Sequence, residues 1–306
     1  MARSPHTRTV LQALFVTFLW STSWVLIKIG LQDLPALTFA GLRYFLAFLA
    51  LLALFLASGR GASLRSLPPR DLATLAGYGL VYYTINQGAV FLALVYLPAI
   101  TFSLMLNGSA VVVALLAIPL LREAPSARQW LGIAVFVAGV LLFFYPLSRL
   151  GGDALGLAIG LVAVLATALS GIIGRGVNRT HRLDPLSVTL VSMGIGSIVL
   201  LLAGLLLEPF PHLSLQSWLI ILWLALVNTA FAFTLWNHTL RTLSAVESSV
   251  INNTMLIQIT LLAWLFLGET LTWRKGAGLA LVAAGTLLVQ LRRAARRRAL
   301  QSPESA

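Results

Sequence analysis

The chain of 306 residues is 59% hydrophobic and only 10% charged, with a formal charge of +12 and a strongly positive mean hydropathy. These values exclude an ordinary water-soluble domain, and with it most soluble-enzyme classes, and indicate a polytopic membrane protein. The absence of cysteine removes disulfides, thiolate metal sites and cysteine nucleophiles.

A helix needs about 20 apolar residues to cross the hydrocarbon core. The sequence predicts ten such spans, at 10–30, 36–57, 72–94, 98–120, 127–146, 154–177, 186–207, 215–238, 245–267 and 273–291. The first follows Arg3 and Arg8 as a signal peptide would, but its length and the lack of a small-residue cleavage site predict a retained helix. It carries Trp20, Ser21, Ser23 and Trp24. Span 2 contains Arg43, which can meet an anionic group, snorkel to the interface or pair with Asp33.

Span 3 places Tyr78, Tyr82 and Asn86 on one helical stripe, with Tyr83 and Gln87 on a neighbouring one. Span 4 carries Ser103 and Asn107 one turn apart. In span 5, Gly132, Ala134, Ala138 and Gly139 form a small-residue face suited to close helix packing. Span 6 offers Thr167 and Ser170. Span 8 has Asn228 near its centre and Trp236, Asn237 and His238 toward one end. Span 9 carries Ser249 and Asn253, and span 10 repeats the small-residue face as Gly278, Ala280, Ala284 and Gly285.

Polar groups in lipid cost free energy unless they turn toward protein or water. The predicted substrate-binding set is therefore Trp20, Ser23, Tyr78, Tyr82, Asn86, Ser103, Asn107, Ser170, Asn228, Trp236, Ser249 and Asn253, a neutral lining of aromatic faces, amides and hydroxyls suited to a small polar or amphipathic molecule. The competing reading is that Asn107 and Asn253 only bridge helices, and that aromatic residues near span ends only anchor the interface. Glu247 is the one acidic residue placed within a span, at its end, so coupling to a proton or sodium gradient finds no support in buried carboxylates. No cofactor and no metal site are expected.

With the N-terminus inside, sixteen basic residues fall on cytoplasmic segments and four on the opposite side. This is the positive-inside pattern, and it predicts a multi-pass protein of the cell (inner) membrane with both termini cytoplasmic. The basic cluster Arg292–Arg298 then lies against anionic lipid headgroups. Nucleic-acid binding is not expected, since no folded domain accompanies the cluster. A homodimer is an assembly the sequence allows.

Sliding the chain by 146 positions aligns residues 96–142 with 242–288 without a gap, and 16 of the 47 pairs are identical. Ser103 meets Ser249, Asn107 meets Asn253, Glu123 meets Glu269, Arg128 meets Arg274, and Gly132 meets Gly278. Such a match marks an internal duplication. Five spans per half is an odd number, so related helices enter the membrane in opposite directions. The expected fold is all-α, with ten transmembrane helices as two inverted five-helix repeats, 1–147 and 154–291, and a basic cytoplasmic tail, 292–306. Inverted repeats suit alternating access, because two similar packings open to opposite sides lie close in free energy.

Several segments resemble a known group. They are Phe18-Leu-Trp-Ser-Thr-Ser-Trp24, Leu42-Arg43-Tyr44-Phe45, Leu120-Leu-Arg-Glu123 with Gly132 and Ala138-Gly139, and its second copy Phe266-Leu-Gly-Glu269 with Gly278 and Ala284-Gly285. Together with the span count and charge pattern they resemble the EamA-type branch of the drug/metabolite transporter superfamily. Arg122 departs from the family pattern, standing where glycine usually precedes the glutamate, which bears on the geometry of the first repeat's loop. The resemblance implies an inner-membrane carrier, often an exporter of amino acids or other metabolites, with a central cavity lined by spans 1, 3, 4, 6, 8 and 9. The expected function is thus a secondary transporter, an exporter of a small organic metabolite such as an amino acid, rather than an enzyme. An integral-membrane enzyme needs a site such as HExxH, GxSG, an aspartate pair or DxxxD, and none is present. A non-transporting receptor is the other alternative.

Overall fold

In lipid the backbone must satisfy its own hydrogen bonds, and an apolar chain does so by forming helices. The computed structural model describes residues 5–59, 68–121, 126–145, 154–179, 185–209, 213–240, 242–243 and 245–301. They form ten helices and, among the described residues, no strand. Helix α1 is Pro5–Gly30, α2 is Ala36–Ala57, and α3 runs over Pro69–Tyr96. Helix α4 is Ala99–Asn107 and Ser109–Leu121, interrupted at Gly108; α5 is Ala127–Phe144, α6 is Ala154–Arg179 and α7 is Pro185–Leu207. Helix α8 comprises Leu215–Ala225, Leu226–Phe231 and Ala232–Thr239, α9 is Ala245–Leu267 and α10 is Trp273–Gln301. Nine of the ten, counted over the described residues, are long and apolar enough to cross a membrane. Helix α10 opens on Trp273-Arg274-Lys275, which lowers its average hydropathy, and its apolar stretch lies between Gly276 and Val289.

The chain divides into two compact units, and each draws on both sequence halves. One consists of Met1–Thr22, Pro98–Ala154 and Thr234–Ala306; the other of Ser23–Leu97 and Leu155–Phe233.

In the first unit the most extensive helix pairing is α5 on α10. A Cβ on Gly132 would come within 2.9 Å of the Gly285 carbonyl oxygen, and one on Gly139 within 2.8 Å of the Gly278 carbonyl oxygen. Only glycine permits that approach of two backbones. Shifted by 146, Gly132 becomes Gly278 and Gly139 becomes Gly285. The operation that relates the repeats therefore exchanges these two contacts, so α5 and α10 run antiparallel about a local two-fold axis. This is the inverted repeat expressed in packing.

Helix α5 starts on a capping box in which Ser126 accepts from the Gln129 amide and the Gln129 side chain accepts from the Ser126 amide. Helix α4 begins after Pro98, which offers no capping side chain. The Glu269 carboxylate fills the gap, accepting from the Ala99 amide and, at 2.9 Å, from the Ile100 amide. Negative charge there also suits the positive end of the helix dipole.

In the second unit α7 packs along α2, α3 and the middle of α3. Close approach is again set by glycine: Gly79 of α3 lies against the Ser192 backbone of α7, and Gly196 of α7 lies against the Gly79 backbone. Helix α2 follows Pro35 and is capped as α4 is. The Glu208 carboxylate at the end of α7 accepts from the Leu37 and Thr38 amides at 2.9 and 2.8 Å.

Candidate functional site

The second unit holds two departures from α-helical geometry. Leu80–Asn86 of α3 and Leu226–Phe231 of α8 are π-helical. Such wide turns are uncommon, occur often at functional sites and bend the helix that contains them. Both begin at the same place in their repeat, since 80 shifted by 146 is 226. In α8 the Thr229 hydroxyl donates to the Leu224 carbonyl at 2.8 Å, five residues back, giving a partner to a backbone acceptor in the altered ladder.

Aromatic side chains extend from the first of these segments. Tyr78 and Tyr82 stack with centroids 5.8 Å apart and planes 2° from parallel. Tyr82 meets Tyr83 edge-on at 4.8 Å, and Tyr83 meets Tyr44 of α2 at 5.6 Å. The Tyr44 hydroxyl donates to Gln87 Oε1 at 2.7 Å, and the Arg43 guanidinium lies 5.1 Å from the Tyr44 ring centroid. The four rings thus form a continuous path ending in a cation.

Buried amides and hydroxyls lie on neighbouring faces. Asn86 is 2% exposed and its amide nitrogen donates to Thr167 Oγ1 and to the Ala163 carbonyl of α6. Tyr78 touches Gly174 on the same helix, so the Tyr78–Asn86 stripe runs along α6. Asn228 is fully buried and donates to Ser23 Oγ at 2.8 Å. Ser170 donates to the Ala166 carbonyl of its own helix. Thr84 donates to the Gly196 carbonyl at 2.8 Å, tying the π segment of α3 to α7. Arg43 neither snorkels outward nor pairs with Asp33. It is 5% exposed, forms no ion pair with the exposed Asp33, and donates from Nε to Thr229 Oγ1 at 3.2 Å.

The remaining predicted residues belong to the first unit. Trp20 and Trp236 pack with centroids 5.2 Å apart and planes 53° apart. Asn107 donates to the Ser103 carbonyl at 2.9 Å, and the Ser103 hydroxyl to the Ile100 carbonyl, so both engage their own helix. Asn253 is half-buried. The Ser249 and Asn237 side chains and Glu123 lie outside what is described. His238 is exposed, and Glu247 pairs with His6 at 3.0 Å.

Gln258 is a residue that sequence reasoning passed over. Its Oε1 accepts from Ser21 at 2.9 Å and its Nε2 reaches Thr17 and Thr254, linking α9 to α1. An amide one turn beyond Thr254, in the apolar second half of span 9, was the available signal. Among the described residues no group of three His, Cys, Asp or Glu side chains could hold a metal ion.

Apolar helices in inverted repeats, two with π-helical segments at repeat-related positions beside buried amides and tyrosines, are the construction of a multi-pass membrane transporter. The chain matches the EamA-like transporter family over residues 7–145 and 154–291 and belongs to that family. It is 30% identical over 286 residues to a Salmonella typhimurium protein named a probable amino-acid metabolite efflux pump, covering 89% of this chain and 91% of that one. An Escherichia coli K12 protein of the same name is 27% identical over 241 residues, covering 74% and 76%. A Bacillus subtilis protein named as the uncharacterized transporter YvbV is 28% identical over 310 residues, covering 98% and 97%. A crystal structure with 20% sequence identity superposes with a TM-score of 0.65, covering 98% of this chain and all of that one, which shows the shared fold.

Proposed function

We propose that this transporter exports a small amphipathic organic metabolite of the amino-acid type across the cell's inner membrane, by alternating access of the repeats 1–147 and 154–291 around a midplane cavity. The observation that carries the reading is the buried uncharged set of the second unit. Asn86 and Asn228, 2% and 0% exposed, accompany a run of tyrosines beside two π segments. Amides satisfy a polar headgroup and ring faces an apolar body. The names borne by two relatives support an exported amino-acid metabolite.

Substrate contacts are assigned to Trp20, Ser23, Tyr78, Tyr82, Asn86, Ser103, Asn107, Ser170, Asn228, Trp236, Ser249 and Asn253. Both termini are assigned to the cytoplasm, where the basic tail, 292–306, meets anionic lipid; a homodimer is compatible with this assignment. The orientation is tested by reporters fused after Arg128 and after Arg274, which are expected on opposite sides of the membrane.

The functional test is efflux from proteoliposomes loaded with candidate amino acids and their derivatives. Asn107→Leu and Asn253→Leu are expected to abolish flux while leaving the melting temperature near that of the parent. Equal losses of stability and flux would show that the amides only join helices. Saturable binding in detergent without flux in liposomes would instead make the protein a receptor.

A further inference from the structure

Arg43 stands apart from every other basic side chain described in the second unit. It lies about 10 Å along α2 from the start of that helix, counting 1.5 Å per residue, and is 5% exposed. Arginine carries its charge permanently and presents five N–H donors in a rigid fork. Only Nε is engaged, by Thr229 Oγ1 at 3.2 Å. Thr229 is itself held, since its hydroxyl donates to the Leu224 carbonyl. The guanidinium is thus fixed by one edge and by the Tyr44 ring 5.1 Å from its carbon.

The opposite edge, made by Nη1 and Nη2, has no hydrogen-bond partner among the described residues. Among the described residues no acidic side chain of the unit neutralises it. Glu208 is committed to the Leu37 and Thr38 amides, and neither Asp33 nor Asp71 forms an ion pair with it. A buried cation without an anion is costly, and breaking such a pair is one of the larger penalties known in protein interiors. A fork held at Nε and open at both Nη groups matches the two oxygens of a carboxylate.

We infer that the Nη edge of Arg43 seats the carboxylate of the transported molecule, with the tyrosine path from Tyr44 to Tyr78 receiving its apolar or aromatic body. This rests on the small-metabolite export reading above and narrows its cargo to monocarboxylates with an apolar or aromatic body, amino acids among them. Arg43 is then the residue that sets specificity for charge, and Thr229 is the positioning residue that aims it. Because Thr229 lies in the π segment of α8, occupancy of the seat also bears directly on a bent part of a helix.

The test uses the full chain in detergent and two probes of nearly the same shape, phenylacetate and phenylacetamide, with phenylalanine as a third. A ligand that binds the folded state raises its melting temperature, by more at a given concentration the tighter it binds. Phenylacetate is expected to raise it at concentrations where phenylacetamide does not. Arg43→Gln is expected to weaken phenylacetate binding at least tenfold, and Arg43→Lys to recover part of it without the two-pronged geometry. Equal stabilisation by the acid and the amide overturns the carboxylate seat and leaves the export reading standing. So does a lowered melting temperature in Arg43→Gln with an unchanged preference for the acid, which makes Arg43 a helix tether. No response to any of the three probes, nor to a wider panel of amphipathic metabolites, overturns the export reading itself. If Arg43→Gln does not fold, the acid-to-amide comparison on the parent protein still decides.

Discussion

The seam between α5 and α10 and the π segments of α3 and α8 are both products of the same duplication, and they have aged differently. In the seam backbone and side chains both repeat: Gly132 with Gly278, Gly139 with Gly285. In the π segments the backbone device repeats, as do its first two residues, Leu80-Val81 and Leu226-Val227, but then Tyr82 and Tyr83 stand against Asn228 and Thr229. Two backbones in contact across a two-fold axis tolerate only matched glycines. On the proposed reading, side chains beside a cargo with one charged end and one apolar end gain nothing from being matched. The difference then separates the part of the protein that must be symmetric to pack from the part proposed to be asymmetric so as to recognise.

The largest effect is expected where symmetry is strictest. Gly139→Leu and its repeat mate Gly285→Leu push a side chain into backbone and are each expected to cost roughly 3 kcal/mol or more, lowering the melting temperature and the yield of folded protein alike. A tolerated mate would break the claim that the two contacts are equivalent. Next come the π segments. Ile85 and Phe231 are repeat mates, both exposed at 49% and 50%. Deleting either restores regular helical phase and is expected to slow flux about tenfold, near 1.4 kcal/mol in barrier, in proteoliposome assays. Similar losses from the two deletions would sharpen the view that the bends form a matched pair.

A smaller effect tests the asymmetric side. Tyr82→Asn, which makes α3 more like α8, removes a stacked ring worth about 1 kcal/mol. It is expected to weaken binding of aromatic cargo several-fold by thermal shift while the fold survives. Smallest are Glu208→Gln and Glu269→Gln, which keep an acceptor and lose its charge. Each is expected to cost about 0.5 kcal/mol and to leave flux unchanged, although only Glu269 belongs to the duplicated stretch.

The span positions, the duplication and the seam were readable because each leaves a local mark: apolar runs, a fixed offset, and glycines at packing spacing. The stripe of Tyr78, Tyr82 and Asn86 was readable for the same reason, and the structure lays its ends against α6. The π segments were not. Leu80–Asn86 is richer in aromatic and β-branched residues than its flanks, but that composition does not distinguish a π turn from an α turn, and its turn is tied by Thr84 to a carbonyl more than a hundred residues away, Gly196. Glu208 was passed over because a carboxylate at a helix end resembles any surface charge until it is seen bonded to the amides of Leu37 and Thr38. Arg43 left three readings open in sequence, and its contact in the structure, a threonine on a distant helix, was none of them and left no local mark. Nor does periodicity say which helices pack together, so two compact units drawn from both halves could not be foreseen.

The α5–α10 contact also bears on how the protein is made. Helix α5 ends at Phe144 and α10 begins at Trp273. The ribosome must add about 130 residues between them, on the order of ten seconds at roughly 5–20 residues per second. Throughout that interval Gly132 and Gly139 face lipid or a chaperone instead of their partners. Helix α10 closes the first unit, so a chain truncated before Trp273 is left with an open seam however well its preceding helices have inserted.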